Sequence, residues 1–292
     1  MNKLNNKIGI AQINTISGNL EYNAKKIVQG IKKAVVFPEL ALVGFGLEDT
    51  VIRHPIIVEQ NKKWLEEIAK FTTSTTAIVG FYDEKDGKAI NSIAVLNNGK
   101  IQEIIHKNHY NKIEINGTIY KITIGDTCFE VNNAEVVINC HSTISKPNKA
   151  EKFETPYSQL ARLLSTPIVY VNQVGAIDGY SFDGGSKLYD KNGQIVACAK
   201  SFDEDFLIID PFSTSSRKPA QVDNTEKTFS LDYEADMERI YKTLVQGIKD
   251  YFKKTGLQRA VLGLRLNCLC STTCRCSWRR KRLWYQYAFQ TY

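Results

Sequence analysis

Short apolar runs alternate with amphipathic stretches in the N-terminal part of the chain. The runs "KIGIAQIN", "AVVFPEL" and "TAIVGFYDE" are rich in β-branched residues and predict strands. The stretches "NLEYNAKKIVQGIKKA" and "NKKWLEEIAKFTT" repeat their apolar residues at helical spacing and predict helices between those strands. This order of elements is typical of an α/β fold.

Hairpins and further strands follow in the middle of the chain. The segment "KAINSIAVLNNGKIQEIIHK" predicts two strands joined at "NNG", and "GSKLYDKNGQIVACAKSFDEDFLIIDPF" predicts a second hairpin set with its turn at "KNG". Between them, "TIYKITIGDTCFEV", "AEVVINCHS" and "IVYVNQVG" predict strands, and "TPYSQLARLLSTP" predicts a helix. We therefore expect sheets that are covered by helices.

Composition narrows the class of protein. A chain of 292 residues with 43% hydrophobic residues can bury a full core. We expect a cytoplasmic protein, because no apolar run approaches a membrane span and the N-terminus lacks the hydrophobic core of a secretory signal. Much of the net charge of +7 lies in "RCSWRRKR" near the C-terminus, so the body indicates no nucleic-acid partner.

Three candidate catalytic residues follow predicted strands. Glu39 follows "VVF", Lys107 follows "IIH" and Cys128 follows "TIGDT". Taken singly, each has a common structural explanation: an acid in a turn, a surface lysine and a small core cysteine. Taken together, they form a coherent nucleophilic site at neighbouring strand ends, where α/β proteins usually keep their sites.

These three side chains fit amide hydrolysis. A Cys128 thiolate would attack the amide carbon, Glu39 would take and return protons, and Lys107 would stabilise the negative tetrahedral oxygen. The lysine cation would also lower the pKa of a neighbouring thiol.

At these residues the chain resembles the nitrilase, or carbon-nitrogen hydrolase, superfamily. "FPELALVGFGLED" and "IVYVNQVGAIDGYSFDGGS" resemble, more narrowly, the glutaminase domain of glutamine-dependent NAD synthetases. The resemblance implies a four-layer α-β-β-α sandwich in which Glu39 is the general base, Lys107 the oxyanion-stabilising cation and Cys128 the nucleophile. It implies glutamine as substrate and no cofactor for the amidase part. In the complete family, a second domain uses ATP and Mg²⁺ to form NAD.

The chain departs from the family pattern around the nucleophile. The segment after Lys107 is short, so Tyr110 and Glu114 are nearby residues outside any matching motif. The family reads "ICEDIW" and then a helix, whereas "TCFEVNNAEVVIN" leads almost directly to the next strand. Phe129 and Ser142 are the candidate glutamine contacts that the resemblance leaves.

Four segments are predicted along the chain. Residues 1–212 form the carbon-nitrogen hydrolase domain, 213–224 a linker, 225–264 the start of a synthetase domain and 265–292 an out-of-frame tail. A shift of one nucleotide converts both Trp278 and Trp284 to glycine and allows a family-like "VDALGEENV" sequence. On this hypothesis the ATP site and the synthetase activity are missing, and the tail cysteines are translated out of frame.

The alternatives remain open at this stage. The spacing of "CLCSTTCRC" and the basic aromatic run "WRRKRLWYQY" would also suit zinc or RNA, although zinc sites generally use wider spacing and we predict no metal site. The chain is predicted to be a glutaminase, with a non-catalytic remnant or a stand-alone amidase for another small amide as alternatives. Expected partners are glutamine and a separate synthetase domain, with no membrane and with homo-oligomers compatible with the sandwich faces.

Overall fold

A computed structural model describes residues 7–31, 36–47, 54, 56–109, 111–115, 117–126, 134–146, 155–177, 179–213 and 233–261. Within these ranges the helices are α1 (Leu20–Ile31), α2 (Ile56–Ala69), α3 (Thr155–Leu164) and α4 (Tyr233–Thr255). The strands are β1 (Ile8–Gln12), β2 (Ala77–Lys85), β3 (Lys88–Asn97), β4 (Lys100–His106), β5 (Asn111–Ile115), β6 (Thr118–Ile124), β7 (Val136–Cys140), β8 (Ile168–Val171), β9 (Val174–Ile177), β10 (Tyr180–Asp183), β11 (Lys187–Tyr189), β12 (Ile195–Cys198) and β13 (Asp205–Ile209).

Two sheets form the body of the fold. In the first, β13 pairs with β1, and Val36 bridges β1 to β2 in parallel, so that the order continues through β3 and β4. The second has the order β12-β11-β8-β7-β6-β5, and its strands β6, β7 and β8 are parallel. The carboxyl ends of those three strands therefore share one edge, which is where α/β proteins usually place functional residues.

Three apolar clusters hold these elements together. The first joins α1 and α2 to one face of β2 and β3, where Ala77, Val79 and Phe81 alternate with residues of the opposite face. The second contains Ile78 and side chains of both sheets, and the third joins α3 to the six-stranded sheet. The α/β class is confirmed. The elements that share each apolar cluster also support the predicted order of helix, sheet, sheet and helix.

Most predicted elements are present, with local differences. The predicted strand "IVYVNQVG" divides into β8 and β9, because the buried Asn172 uses its side chain to bind the backbone of neighbouring segments: its Oδ1 accepts from the Thr143 N–H at 2.8 Å and its Nδ2 donates to the Gly184 carbonyl at 2.9 Å. The strand ending in "TIGDTCFEV" corresponds to β6, which ends at Ile124. Strands β5 and β10 had no predicted counterpart.

Helix α4 packs on the rest of the body through polar contacts. The Asp250 carboxylate accepts hydrogen bonds from Asn14 Nδ2 at 2.9 Å and from the Ala176 N–H at 2.6 Å. Arg239 Nη1 pairs with Asp183 Oδ2 at 3.3 Å. Residues 1–256 form one compact unit and 257–292 another, so the helix belongs to the first unit. The domain boundary near residues 213–224 and the nature of the tail stay predictions, and the tail lies outside the described residues.

None of the helices in the described ranges is long and apolar enough to cross a membrane.

Candidate active site

Glu39 lies in a tight turn that crosses strand β2. The Phe37 N–H donates to the Ile78 carbonyl at 2.9 Å, and the Leu42 N–H donates to the Gly80 carbonyl at 3.0 Å. A Cβ atom at Gly80 would lie 2.5 Å from the Pro38 carbonyl oxygen and 2.9 Å from the Glu39 carbonyl carbon. Only glycine therefore lets this turn approach the strand so closely.

The turn also holds its backbone in an uncommon conformation. Leu40 has a φ of 53°, in the left-handed region that bulky residues rarely adopt, and it is fully buried. Its carbonyl accepts the Gly44 N–H at 2.8 Å. Such conformations persist where surrounding packing enforces them, and they concentrate at functional sites.

The Glu39 carboxylate is buried and binds two donors through one oxygen. The residue is only 3% exposed. Its Oε1 accepts a hydrogen bond from Asn91 Nδ2 at 2.7 Å and one from Lys107 Nζ at 3.3 Å. Its Oε2 lies 3.9 Å from His141 Nδ1 and has no hydrogen bond within the described part of the chain. The two oxygens are therefore chemically distinct.

Lys107 follows the end of β4, as the sequence predicts, and its backbone N–H donates to the Asn91 carbonyl at 2.8 Å. That bond keeps Lys107 level with Asn91 on β3, so both side chains reach Glu39. The Lys107 side chain is 37% exposed, whereas Glu39 is buried. The ammonium group thus lies between the buried carboxylate and the outside of the site.

A turn after β6 packs against Glu39 and Lys107. Gly125 has a φ of +62°, and a Cβ atom on it would lie 3.1 Å from Lys107 Nζ. The Gly125 N–H donates to the Cys140 carbonyl at 2.9 Å, and its own carbonyl accepts from Asn139 Nδ2 at 2.8 Å. Asn139 is itself held by the Tyr157 hydroxyl, which donates to its Oδ1 at 2.8 Å. The segment leading toward Cys128 is therefore anchored beside the pair.

The segment after β7 closes another side of the site. The Ser142 hydroxyl donates to the Glu39 backbone carbonyl at 3.1 Å, and the Ser142 N–H donates to His141 Nδ1 at 2.7 Å. His141 Nε2 lies 3.0 Å from Asp126 Oδ1. The predicted glutamine contact Ser142 is buried, and in this structure its hydroxyl supports the Glu39 turn.

The Asp126 carboxylate is an acceptor for the imidazole. The hydrogen bond from His141 lowers the pKa of Asp126, partial burial opposes this, and the positive charges of Lys107 and Lys146 act in the same direction as the hydrogen bond. Asp126 therefore stays ionised to a lower pH than an ordinary aspartate.

The other residues that the sequence analysis named are not among the described contacts of Glu39 and Lys107. Cys128, Phe129 and Tyr110 lie outside the described residues. Glu114 lies exposed on strand β5. Cys140 is fully buried at the end of β7, and burial, with a smaller contribution from the Glu39 charge, raises the pKa of its thiol strongly. Such a thiol is a poor nucleophile, so Cys140 does not replace Cys128 as the candidate.

Three residues of the site had no predicted role: Asn91, Asp126 and His141. Asn91 interrupts the apolar strand "AINSIAVL", which is a signal that the sequence offers. Asp126 and His141 each follow one of two adjacent parallel strands, β6 and β7, at the same edge. Strand pairing, which brings them together, cannot be read from their separate positions in the sequence.

The described ranges contain no group of three or more His, Cys, Asp or Glu side chains that could hold a metal ion. The Glu39 and Lys107 pair is instead suited to acid-base chemistry beside a cation.

The chain is similar in sequence to known synthetases. It is 25% identical over 292 residues to the glutamine-dependent NAD(+) synthetase of Acinetobacter baylyi, covering 88% of this chain and 52% of that protein. It is 28% identical over 309 residues to the enzyme of the same name from Synechocystis sp., covering 88% and 54%. The chain thus spans about half the length of the known relatives it matches. No protein-family model matches it.

Solved structures share the fold. The glutamine-dependent NAD+ synthetase of Acinetobacter baumannii, solved in complex with ADP, superposes with a TM-score of 0.69 and 23% identity over 86% of this chain and 52% of that one. A mutant of the nitrilase-superfamily amidase of Nesterenkonia AN1 superposes with a TM-score of 0.61 and 14% identity over 70% of this chain and 92% of that one. In sequence the chain is similar to about half the length of glutamine-dependent NAD+ synthetases, and its fold is similar to that of these synthetases and of an amidase from the nitrilase superfamily.

Proposed function

We propose that the chain hydrolyses the side-chain amide of glutamine to glutamate and ammonia. The observation that carries this proposal is the buried Glu39 carboxylate with Lys107 Nζ 3.3 Å from its Oε1. A carboxylate removed from water beside a cation can take a proton from a nucleophile and return it. The choice of glutamine rests on the homologous synthetases, whose name describes them as glutamine-dependent.

Cys128 is the proposed nucleophile. It follows Gly125 by three residues, and three residues span at most about 10 Å, so chain length allows the thiol to reach the Glu39 and Lys107 pair. The alternative thiol at Cys140 is buried with a raised pKa. The lysine cation would favour the thiolate form of a cysteine beside it.

The reaction would proceed in two halves. Glu39 takes the thiol proton, the thiolate attacks the amide carbon, and Lys107 stabilises the oxyanion. Collapse of this intermediate breaks the carbon-nitrogen bond while Glu39 returns the proton to the leaving ammonia, which leaves a glutamyl thioester. Glu39 then takes a proton from water, the hydroxide attacks the thioester, and the departing thiolate recovers the proton.

Phe129 and Ser142 are the proposed glutamine contacts. The Ser142 hydroxyl is engaged with the Glu39 carbonyl, so a direct contact with glutamine would require it to exchange that partner. The proposed reaction itself uses no ATP or Mg²⁺. We further propose that the ammonia serves an amidation like that of the homologues, carried out by a synthetase domain outside residues 1–256.

The test is ammonia release from glutamine by the purified chain. Cys128→Ala should abolish release, whereas the matched Cys140→Ala change should preserve it, because the Cys140 thiol is buried away from solvent. Acetamide in place of glutamine tests the stand-alone amidase alternative, which a higher rate on acetamide would favour. Absence of ammonia from wild type with either amide would favour the non-catalytic remnant.

A further inference from the structure

Helix α4 turns its apolar side away from the body of the fold. The side that contacts the body is polar, and Arg239, Thr243 and Asp250 bind the body through hydrogen bonds or ion pairs. A surface helix ordinarily packs its apolar side on the core and exposes its charged side. In α4 this arrangement is reversed.

Five large apolar residues form the outward face of the helix, which we call the α4 seam. Each is between 46% and 65% exposed: Met237, Tyr241, Leu244, Ile248 and Tyr251. Their spacing alternates between four and three residues, which is the spacing at which two helices pack along a shared line. An exposed apolar row of this kind marks an interaction site.

The area of the α4 seam suits a partner with an equal apolar face. Five large side chains that are about half exposed present on the order of 500 Å² of surface. A specific interface removes at least about 1,000 Å² from water in total. Two copies of the seam together reach that area.

A second copy of the helix matches the seam when it runs antiparallel. A two-fold axis beside Leu244 brings the Leu244 side chains of the two copies together. Tyr241 then lies opposite Ile248 of the second copy. Farther from the axis, Met237 lies opposite Tyr251 of the second copy. Every residue of the seam therefore meets another apolar residue, as a two-fold interface between identical chains requires.

The charges along α4 favour the antiparallel direction. Glu234 and Glu238 lie near the start of the helix, and Lys249 and Lys253 lie near its end. Antiparallel pairing places the acidic end of one helix beside the basic end of the other, whereas parallel pairing places like charges side by side. Like charges across an interface oppose association, so the charge pattern selects the antiparallel pair.

We propose that the α4 seam is the interface of a homodimer, in which two α4 helices pack antiparallel about a two-fold axis beside Leu244. The partner that covers the seam is thus a second copy of this chain. The inference concerns assembly and does not depend on glutamine hydrolysis, so either proposal can fail without the other.

The mass of the full chain in solution tests the proposal. Sedimentation of the wild type should give a mass near twice the 33.0 kDa of one chain. Leu244→Glu places two carboxylates side by side at the axis and should give a monomer with the helix content of wild type by circular dichroism. Leu163→Glu changes an exposed leucine of α3 and, as the matched control, should remain a dimer.

Two results would overturn the homodimer. One is a wild type that stays monomeric up to about 100 μM, above the weak end of the affinities that interfaces reach; this is the result expected if residues 262–292 cover the seam within one chain. The other is a Leu244→Glu chain that dimerises as tightly as wild type.

An exchange of charges tests the antiparallel direction. At low ionic strength, Glu238→Lys alone and Lys249→Glu alone should each raise the dimer Kd about fivefold, because each places like charges across the interface. The double variant restores unlike charges between the two copies and should regain the wild-type Kd. A double variant that binds as weakly as the single variants would overturn the antiparallel arrangement.

Discussion

At the level of single residues, the site depends on the different surroundings of the two Glu39 oxygens. Oε1 accepts from Asn91 and Lys107, while Oε2 faces an imidazole nitrogen at 3.9 Å. The carboxylate is therefore held in place through one oxygen, and the other oxygen has no hydrogen bond within the described part of the chain.

Lys107 should matter to the reaction more than to substrate binding. Lys107→Met is expected to lower kcat about a hundredfold, because the oxyanion would lose its cation, with a smaller change in KM. Lys100→Met, an exposed lysine at the other end of β4, is the matched control. Steady-state ammonia release measures both variants, and equal kcat values for the two would refute the role proposed for Lys107.

The sequence predicted part of this site for physical reasons. Lys107 directly follows β4, and Glu39 comes shortly after Val36, which bridges β1 and β2, so their placement depends on local structure that apolar runs reveal. His141 and Asp126 became neighbours only because β6 and β7 pair in parallel in a particular register. Single-sequence patterns carry little information about such pairing between strands.

At the level of single elements, β2 fixes the Glu39 turn through Gly80. Gly80→Ala should lower the unfolding free energy by about 1–3 kcal/mol, because its Cβ would overlap the backbone of the turn. The same displacement should reduce kcat by moving Glu39. Gly247→Ala in α4 is the control, since a Cβ there makes only an ordinary contact of 3.7 Å with Ser181 Oγ.

Urea unfolding and ammonia release together test the Gly80 prediction. Loss of both stability and activity in Gly80→Ala, with neither lost in Gly247→Ala, is the expected pattern. A Gly80→Ala chain with wild-type stability would show that the turn can move away from β2 at no cost, and would refute the prediction.

Helix α4 carries a lysine whose charge is disfavoured. Lys254 Nζ donates to the carbonyls of Thr15 and Ala176 at 2.7 and 2.8 Å. Burial lowers the pKa of Lys254 from 10.5 to about 8, although the charge of Asp250 opposes the shift. Between about pH 8 and 10.5 the unfolded chain binds more protons at this site than the folded chain, so the contribution of this group to folding stability rises with pH.

A difference measurement isolates this effect from the other groups that titrate in alkali. The unfolding free energy of wild type minus that of Lys254→Gln should increase between about pH 8 and 10, by up to about 1.4 kcal/mol per pH unit. Urea denaturation at several pH values gives the difference. A constant difference across this range would mean that Lys254 has an ordinary pKa in the folded chain.

The missed elements have identifiable causes. Strands β5 and β6 flank "ING", an Asn-Gly pair that favours hairpins, so the sequence did contain a signal for β5. Strand β10 pairs only with β9 among the described strands, in a separate two-stranded unit. The division of "IVYVNQVG" depends on hydrogen bonds from Asn172 to distant segments, which no local pattern encodes.

At the level of the whole molecule, the chain matches about half of each homologous synthetase. The two packed sheets bring the ends of β4, β6 and β7 and the Glu39 turn to one place, which explains how residues about a hundred positions apart in the sequence form one site. The α/β class follows from the alternation of strands and helices, whereas the site depends on how the sheets face each other.

The most direct test of Glu39 as the base compares the rates of ammonia release from glutamine by wild type and by Glu39→Gln. Glu39→Gln keeps the size of the side chain but cannot take up a proton from the nucleophile. We expect release by wild type, and a loss of at least about a hundredfold in kcat for the variant. Equal rates in the two proteins, or no release by wild type, would contradict the proposal that Glu39 is the base of a glutaminase.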